Sequence, residues 1–195
     1  MNQEVVIKKV AFLIILTLSF THVIAQNFNA DPANSEVTIT GTSTIHDWES
    51  TAEEFSGTAS LTIVDGQLIS IENLTFNVLV EGIKSGKRGM DKKTYGALDE
   101  KKHPNIVFNL TKVNTIENET ISAAGDLTIA GVTKSIEMKV AYAIGEEGTI
   151  TFTGEQPITM TDYKIKPPKA VFGTIKCGDD VVVHFDTNFT DSTNL

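Results

Sequence analysis

Cys177 is the only cysteine among 195 residues, so no disulfide can form within the chain and core burial alone has to hold the fold. Histidine is nearly as scarce. His46, His103 and His184 show no H-x-H, H-E-x-x-H or Cys/His spacing, so a transition metal has no local signature and no metal ligand is assigned. A G-x-S-x-G elbow is missing, and "GIKSGKRG" holds Gly82, Gly86 and Gly89 without Walker or G-x-G-x-x-G spacing. No catalytic residue is assigned from these patterns. Positive charge is in short supply, with 16 Lys and Arg against 25 Asp and Glu and a net charge of −9. That balance argues against a nucleic-acid partner, which requires a clustered positive field.

A membrane-spanning run is also lacking, since the one long apolar stretch, Val10 to Phe20, falls short of the roughly 20 residues a spanning helix needs. Lys8 and Lys9 before it and Val23-Ile24-Ala25 after it give residues 1–25 the form of an export signal, cleaved after Ala25. Export places the protein in the periplasm or outside the cell. The remaining residues, 26–195, suit one domain with a full core and carry 14 basic and 24 acidic side chains. No cysteine follows the signal to take a lipid anchor.

What the chain has in abundance is period-two alternation. In "SIEMKVAYAI", Ile136, Met138, Val140, Tyr142 and Ile144 point one way and polar or small residues the other. The same pattern runs through Leu74, Phe76, Val78 and Val80, through Ile106, Phe108 and Leu110, and through Val181, Val183, Phe185 and Phe189. Weaker copies in "EVTIT", "TASLTIV", "ISAAGDLTIA" and "GTITFTG" bring the total to about eight strands. Asp65-Gly66, Glu147-Gly148 and Gly131 mark tight hairpins, so neighbours are antiparallel. The fold class is all-β, and periodicity alone leaves a closed barrel and a sandwich both open.

Two segments break the pattern. Gly89 to Lys102 places Met90, Thr94 and Leu98 at i, i+4, i+8, which predicts a short amphipathic helix stopped by His103-Pro104. Met160 to Gly173 contains Pro167-Pro168 and reads as a long loop or irregular edge, and an open strand edge near Pro167 offers a route to a homodimer. Lys84, Lys87, Arg88, Lys92 and Lys93 form the one locally basic stretch. It is either a solvated face, or a set of cations that holds an anionic headgroup or makes transient contact with a phospholipid surface.

"GTSTIHDWES", "MDKKTYGALDEKKHPNIVF", "GDLTIAGVTKSI" and "CGDDVVVHFDTNF", in this order, resemble the YceI-like family of secreted bacterial proteins over about residues 33–190. The resemblance implies an eight-stranded antiparallel, lipocalin-like barrel with one short helix. It also implies a polyisoprenoid ligand, an isoprenoid quinone or a prenyl pyrophosphate, with no resident cofactor.

On that basis the chain is expected to be a non-enzymatic periplasmic carrier of a long apolar isoprenoid lipid. Phe76, Val78, Phe108, Leu110, Met138, Val140, Phe152, Val183 and Phe185 are the expected lining. The expected mouth comprises Trp48, Met90, Tyr95, Leu98, Lys84, Lys87, Arg88 and His103. His46-Asp47-Trp48 is expected to turn between two strands, Asp47 bonding local backbone donors and Trp48 lying across one barrel end. Two competitors stand beside this reading. One is an envelope structural or stress-related interaction protein with a filled barrel; the other is an enzyme using His46, Asp47 or His103.

Overall fold

Alternating inward and outward side chains carry the chain through twelve strands in the computed structural model, which describes residues 25–145, 148–170 and 173–192. They are β1 (Gln26–Ala30), β2 (Glu36–Ser43), β3 (Trp48–Ala52), β4 (Phe55–Val64), β5 (Gln67–Leu79) and β6 (Ile83–Lys84) before the helix α1 (Arg88–Ala97). After it come β7 (Asn105–Glu117), β8 (Thr120–Ile129), β9 (Val132–Ile144), β10 (Ile150–Thr159), β11 (Lys169–Ala170) and β12 (Ile175–Asp191). Residues 1–24 of the expected leader, 1–25, and Glu147 of the expected turn lie outside the described residues.

Pairing runs β1-β4-β5-β7-β8-β9-β10-β12 and returns to β1 through Phe28↔Asp191, Asn29↔Thr190 and Ala30↔Phe189. The result is a closed barrel of eight antiparallel positions. Three positions are each split in two: β2 continues β1, β3 precedes β4 along the same wall, and β6 extends β5. The first split is a 3-10 turn at Pro32–Asn34, where Asp31 Oδ1 accepts from the Ala33 amide at 3.1 Å. A second 3-10 turn, Val80–Gly82, leads from β5 into β6.

Tight turns follow the residues that tolerate positive φ. Asp65-Gly66 (φ 50° and 73°) and Ala130-Gly131 (48° and 75°) close two hairpins with both central residues left-handed. Asn118-Glu119 (50° and 57°) does the same without glycine, and sequence did not mark it. The helix is shorter than expected. It ends at Ala97 with Leu98 as its C-cap, because Asp99 takes φ 50° and its carbonyl collects the amides of Lys102 and His103, each at 2.9 Å. In the segment after β10, Met160–Tyr163 forms a 3-10 turn and β11 adds two residues to β12, so the edge near Pro167 is very short.

The two barrel ends differ. At the end where β1 begins and β12 ends, which also bears the turns at 65–66 and 118–119, Phe28, Leu61, Ile150 and Phe189 form a packed floor, each no more than 1% exposed. At the helix end, Ile129, Ile158, Met160, Tyr163, Ile165 and Val181 pack with Trp48 and Leu98.

Candidate functional site

Between these two clusters the barrel is hollow, with a cavity of about 210 Å³. Phe76, Val78, Phe108, Leu110, Met138, Val140, Phe152, Val183 and Phe185 all line it. Inward direction was readable from alternation; hollowness was not. Eight of these nine are half-buried, Phe152 alone being fully buried, although every one points away from bulk solvent. In a barrel filled by its own side chains, residues midway along the lumen would be enclosed as tightly as Phe28.

Three glycines keep the lumen open. Gly57 on β4, Gly125 on β8 and Gly154 on β10 occupy inward positions, and the rings of Phe76, Phe108 and Phe185 lie against them. Each ring fills the place of a missing side chain on the neighbouring strand instead of projecting to the barrel axis. These glycines were absent from the expected site. A glycine at an inward position of an alternating strand was the available signal. Among the described residues that line the cavity, only Gln156 and Thr187 are polar, and neither was foreseen.

The expected mouth residues sit around the helix end, outside the cavity lining. Trp48 packs on the helix-end cluster with its indole over Gly41, and Nε1 donates to the Thr42 carbonyl at 3.0 Å. Leu98 packs against the helix-end cluster, and the His103 ring covers Gly131 of the β8–β9 turn. Met90 is half-buried. Lys84 Nζ donates to the Glu81 carbonyl and, at 3.0 Å, to Tyr95 Oη, a bond that raises the Lys84 pKa above its usual value. Lys87 and Arg88 are exposed. Asp91 fixes the start of the helix. Its Oδ1 accepts from the Ser85 hydroxyl at 2.5 Å and the Ser85 amide at 2.9 Å, and these bonds hold its carboxyl below the ordinary value.

The His46-Asp47-Trp48 segment does turn between two strands, β2 and β3. The hydrogen bonding in that turn corrects the expectation for Asp47. Ser43 Oγ donates to the His46 carbonyl at 2.7 Å and accepts from the His46 amide at 3.3 Å, while Asp47 contributes its carbonyl, at 2.7 Å from His46 Nδ1. Serine takes this role because its short hydroxyl both donates and accepts across the turn. Among the described residues, no hydrogen bond or ion pair joins His46 or Asp47 to His103, and no group of His, Cys, Asp and Glu is placed to hold a metal ion. His184 faces outward, between Thr40 Oγ1 at 3.2 Å and Glu155 at 3.6 Å.

The sequence matches the YceI-like domain family over residues 28–189. A UPF0312 protein of Pseudomonas putida is 33% identical over 85 residues, which is 40% of this chain and 43% of that protein, so the chain spans under half the length of such relatives. Among solved structures, BcnA of Burkholderia cenocepacia superposes with a TM-score of 0.69 at 18% identity, over 82% of this chain and 98% of that one. A polyisoprenoid binding domain from Saccharophagus degradans gives 0.65 at 10% identity, over 84% and 98%. The YceI protein of Campylobacter jejuni gives 0.58 at 21%, over 71% and 82%.

Proposed function

The chain belongs to the YceI-like domain family, and from that premise we propose that it is an exported carrier that holds a long apolar isoprenoid lipid in its barrel without covalent chemistry. The cargo is an isoprenoid quinone or a prenyl pyrophosphate. One observation carries this reading: inward residues midway along the barrel are half-buried because they surround an apolar cavity of about 210 Å³. Such a lumen gains about 25 cal/mol for each Å² of lipid chain withdrawn from water. The likeness in fold to a polyisoprenoid binding domain supports the same ligand class.

The hollow interior speaks against the competing idea of a filled, purely structural barrel. Residues 1–25 supply the export signal, which puts the carrier between lipid surfaces rather than inside the cell. Loading takes place at the helix end. There Lys87, Arg88, Lys92 and Lys93 are exposed, and Ile45 of the neighbouring turn is 61% exposed.

The test is organic extraction of the protein purified from its native envelope without detergent, followed by mass spectrometry. A stoichiometric isoprenoid is the expected result. Protein that is empty on isolation and that takes up no isoprenoid from vesicles overturns the proposal.

A further inference from the structure

Gln156 is out of character with its strand. The inward positions of β10 run Ile150, Phe152, Gly154, Gln156, Ile158, and the amide is the one hydrogen-bonding side chain in that series. Across the ladder the rows are Phe152↔Thr187, Gly154↔Phe185 and Gln156↔Val183, so Gln156 lies one row toward the helix end from the Phe185 ring. Thr187, the other polar lining residue, uses its proton on the Phe152 carbonyl at 3.3 Å. Gln156 Nε2 makes one bond, to the Pro157 carbonyl at 3.2 Å. Its second N–H and its Oε1 have no hydrogen bond among the described residues.

Water in the lumen can solvate that amide; a hydrocarbon displacing the water cannot. A stranded donor and acceptor in an apolar space would cost a pure hydrocarbon cargo roughly tenfold or more in affinity. A carboxamide accepts through oxygen and donates through nitrogen, so it satisfies a carbonyl or a hydroxyl equally well. A charged head is mismatched here. Among the described residues no Lys, Arg or His lines the cavity, and an unpaired charge in such a space is expelled.

We propose that Gln156 is the binding residue for a neutral oxygen group, a ring carbonyl or an alcohol, carried by the lipid and lodged inside the barrel rather than at its mouth. The inference rests on the carrier reading and narrows its cargo: the diphosphate head is excluded from this position.

Four probes sharing one geranylgeranyl chain separate the cases when titrated calorimetrically into the delipidated mature protein: the hydrocarbon, the alcohol, the benzoquinone and the diphosphate. Wild-type protein should bind the alcohol or the quinone about tenfold more tightly than the hydrocarbon, and the tighter of the two names the group. Gln156→Leu should erase that preference by binding the hydrocarbon about tenfold more tightly than wild type does, with Gln156→Met as a second apolar replacement and circular dichroism as the check on folding. A preference that survives in both variants, or a diphosphate that binds tightest to wild type, overturns the assignment and leaves the carrier reading standing. Failure of all four probes overturns both.

Discussion

The ring of Phe108 rests on Gly125 of the adjacent strand so closely that a β-carbon there would stand 2.2 Å from Phe108 Cε2. Phe185 over Gly154, at 2.7 Å, and Phe76 over Gly57, at 2.9 Å, repeat the arrangement on other walls. Aromatic rings covering strand glycines recur in sheets, and here the covering decides where the ring is not, namely in the lumen. Cavity volume is thus set by glycines that are not themselves part of the lining.

Gly154→Ala and Gly125→Ala therefore separate volume from stability. At Gly154 the new methyl meets the end of the Phe185 ring, while the nearest backbone atom, the Lys139 carbonyl oxygen, stands off at 3.4 Å. The ring swings inward, the fold survives, and lipid affinity should fall about tenfold. At Gly125 the methyl also meets the Asn109 carbonyl at 2.8 Å, so the wall itself has to move and unfolding free energy should drop by about 1–3 kcal/mol. Lipid titration and urea unfolding of both variants check the pair. Unchanged lipid affinity in Gly154→Ala would show that the ring finds another way out.

Much of this barrel was legible because alternation reports which way a side chain points. All nine expected lining residues face the cavity for that reason. The closing register was not legible, since Phe28↔Asp191 joins the two ends of the domain and neither strand names its partner. The helix was read too long because Asp99 in the left-handed region has no obligatory sequence marker. Gln156 lay beyond the expected strand for a different reason. The segment "GTITFTG" ends at Gly154, yet the strand runs on to Thr159 with Pro157 on its outer face. The inward glycines Gly57, Gly125 and Gly154 carried no expected role, although in an alternating strand a glycine marks a place where something else has to lie.

Asp91 makes the helix end sensitive to acid. The Ser85 hydroxyl and amide bonds hold its carboxyl below the ordinary value of 3.8. A depressed native pKa means the stabilisation is complete above 3.8 and is lost as the pH falls through the lower native value. Hydrogen exchange across Ser85–Ala97 should accelerate in that acid window beyond the ordinary pH dependence of exchange. Asp91→Ala should show the faster exchange already at neutral pH and no acid step of its own. An acid step that persists in the variant would assign it to another group.

Cys177 should be slow to react. The thiol is half-buried and burial pushes its pKa up, so the thiolate that attacks a reagent is scarce in the folded protein. Alkylation of the native chain near pH 8 is expected to run at least about tenfold slower than in urea, where the thiol returns to its ordinary pKa. Equal rates in the two states would mean that the β11–β12 ladder opens readily around it.

Cations gather along one rim of the helix end, and that rim predicts which end meets a membrane. Asp65, Glu117 and Glu119 stand at the floor end. At the helix end, Lys169 pairs with Lys176 across the β11–β12 ladder, Lys93 Nζ donates to the Lys169 carbonyl at 3.0 Å, and the Thr44 amide donates to the Lys176 carbonyl at 3.0 Å. These bonds join one rim of cations to the turn that presents Ile45, 61% exposed. An apolar tip beside ammonium groups suits the interface of an anionic bilayer, where each lysine contributes about 1 kcal/mol. The protein should co-sediment with phosphatidylglycerol vesicles and not with phosphatidylcholine vesicles, despite its net charge of −9. Binding should vanish in about 1 M salt, where the Debye length shrinks to about 3 Å. Lys169→Glu with Lys176→Glu should weaken it on the order of thirtyfold or more, and Ile45→Ser should weaken it without changing its salt dependence. Undiminished sedimentation of the double variant would move the docking surface away from the helix end, and with it the route by which cargo reaches the lumen.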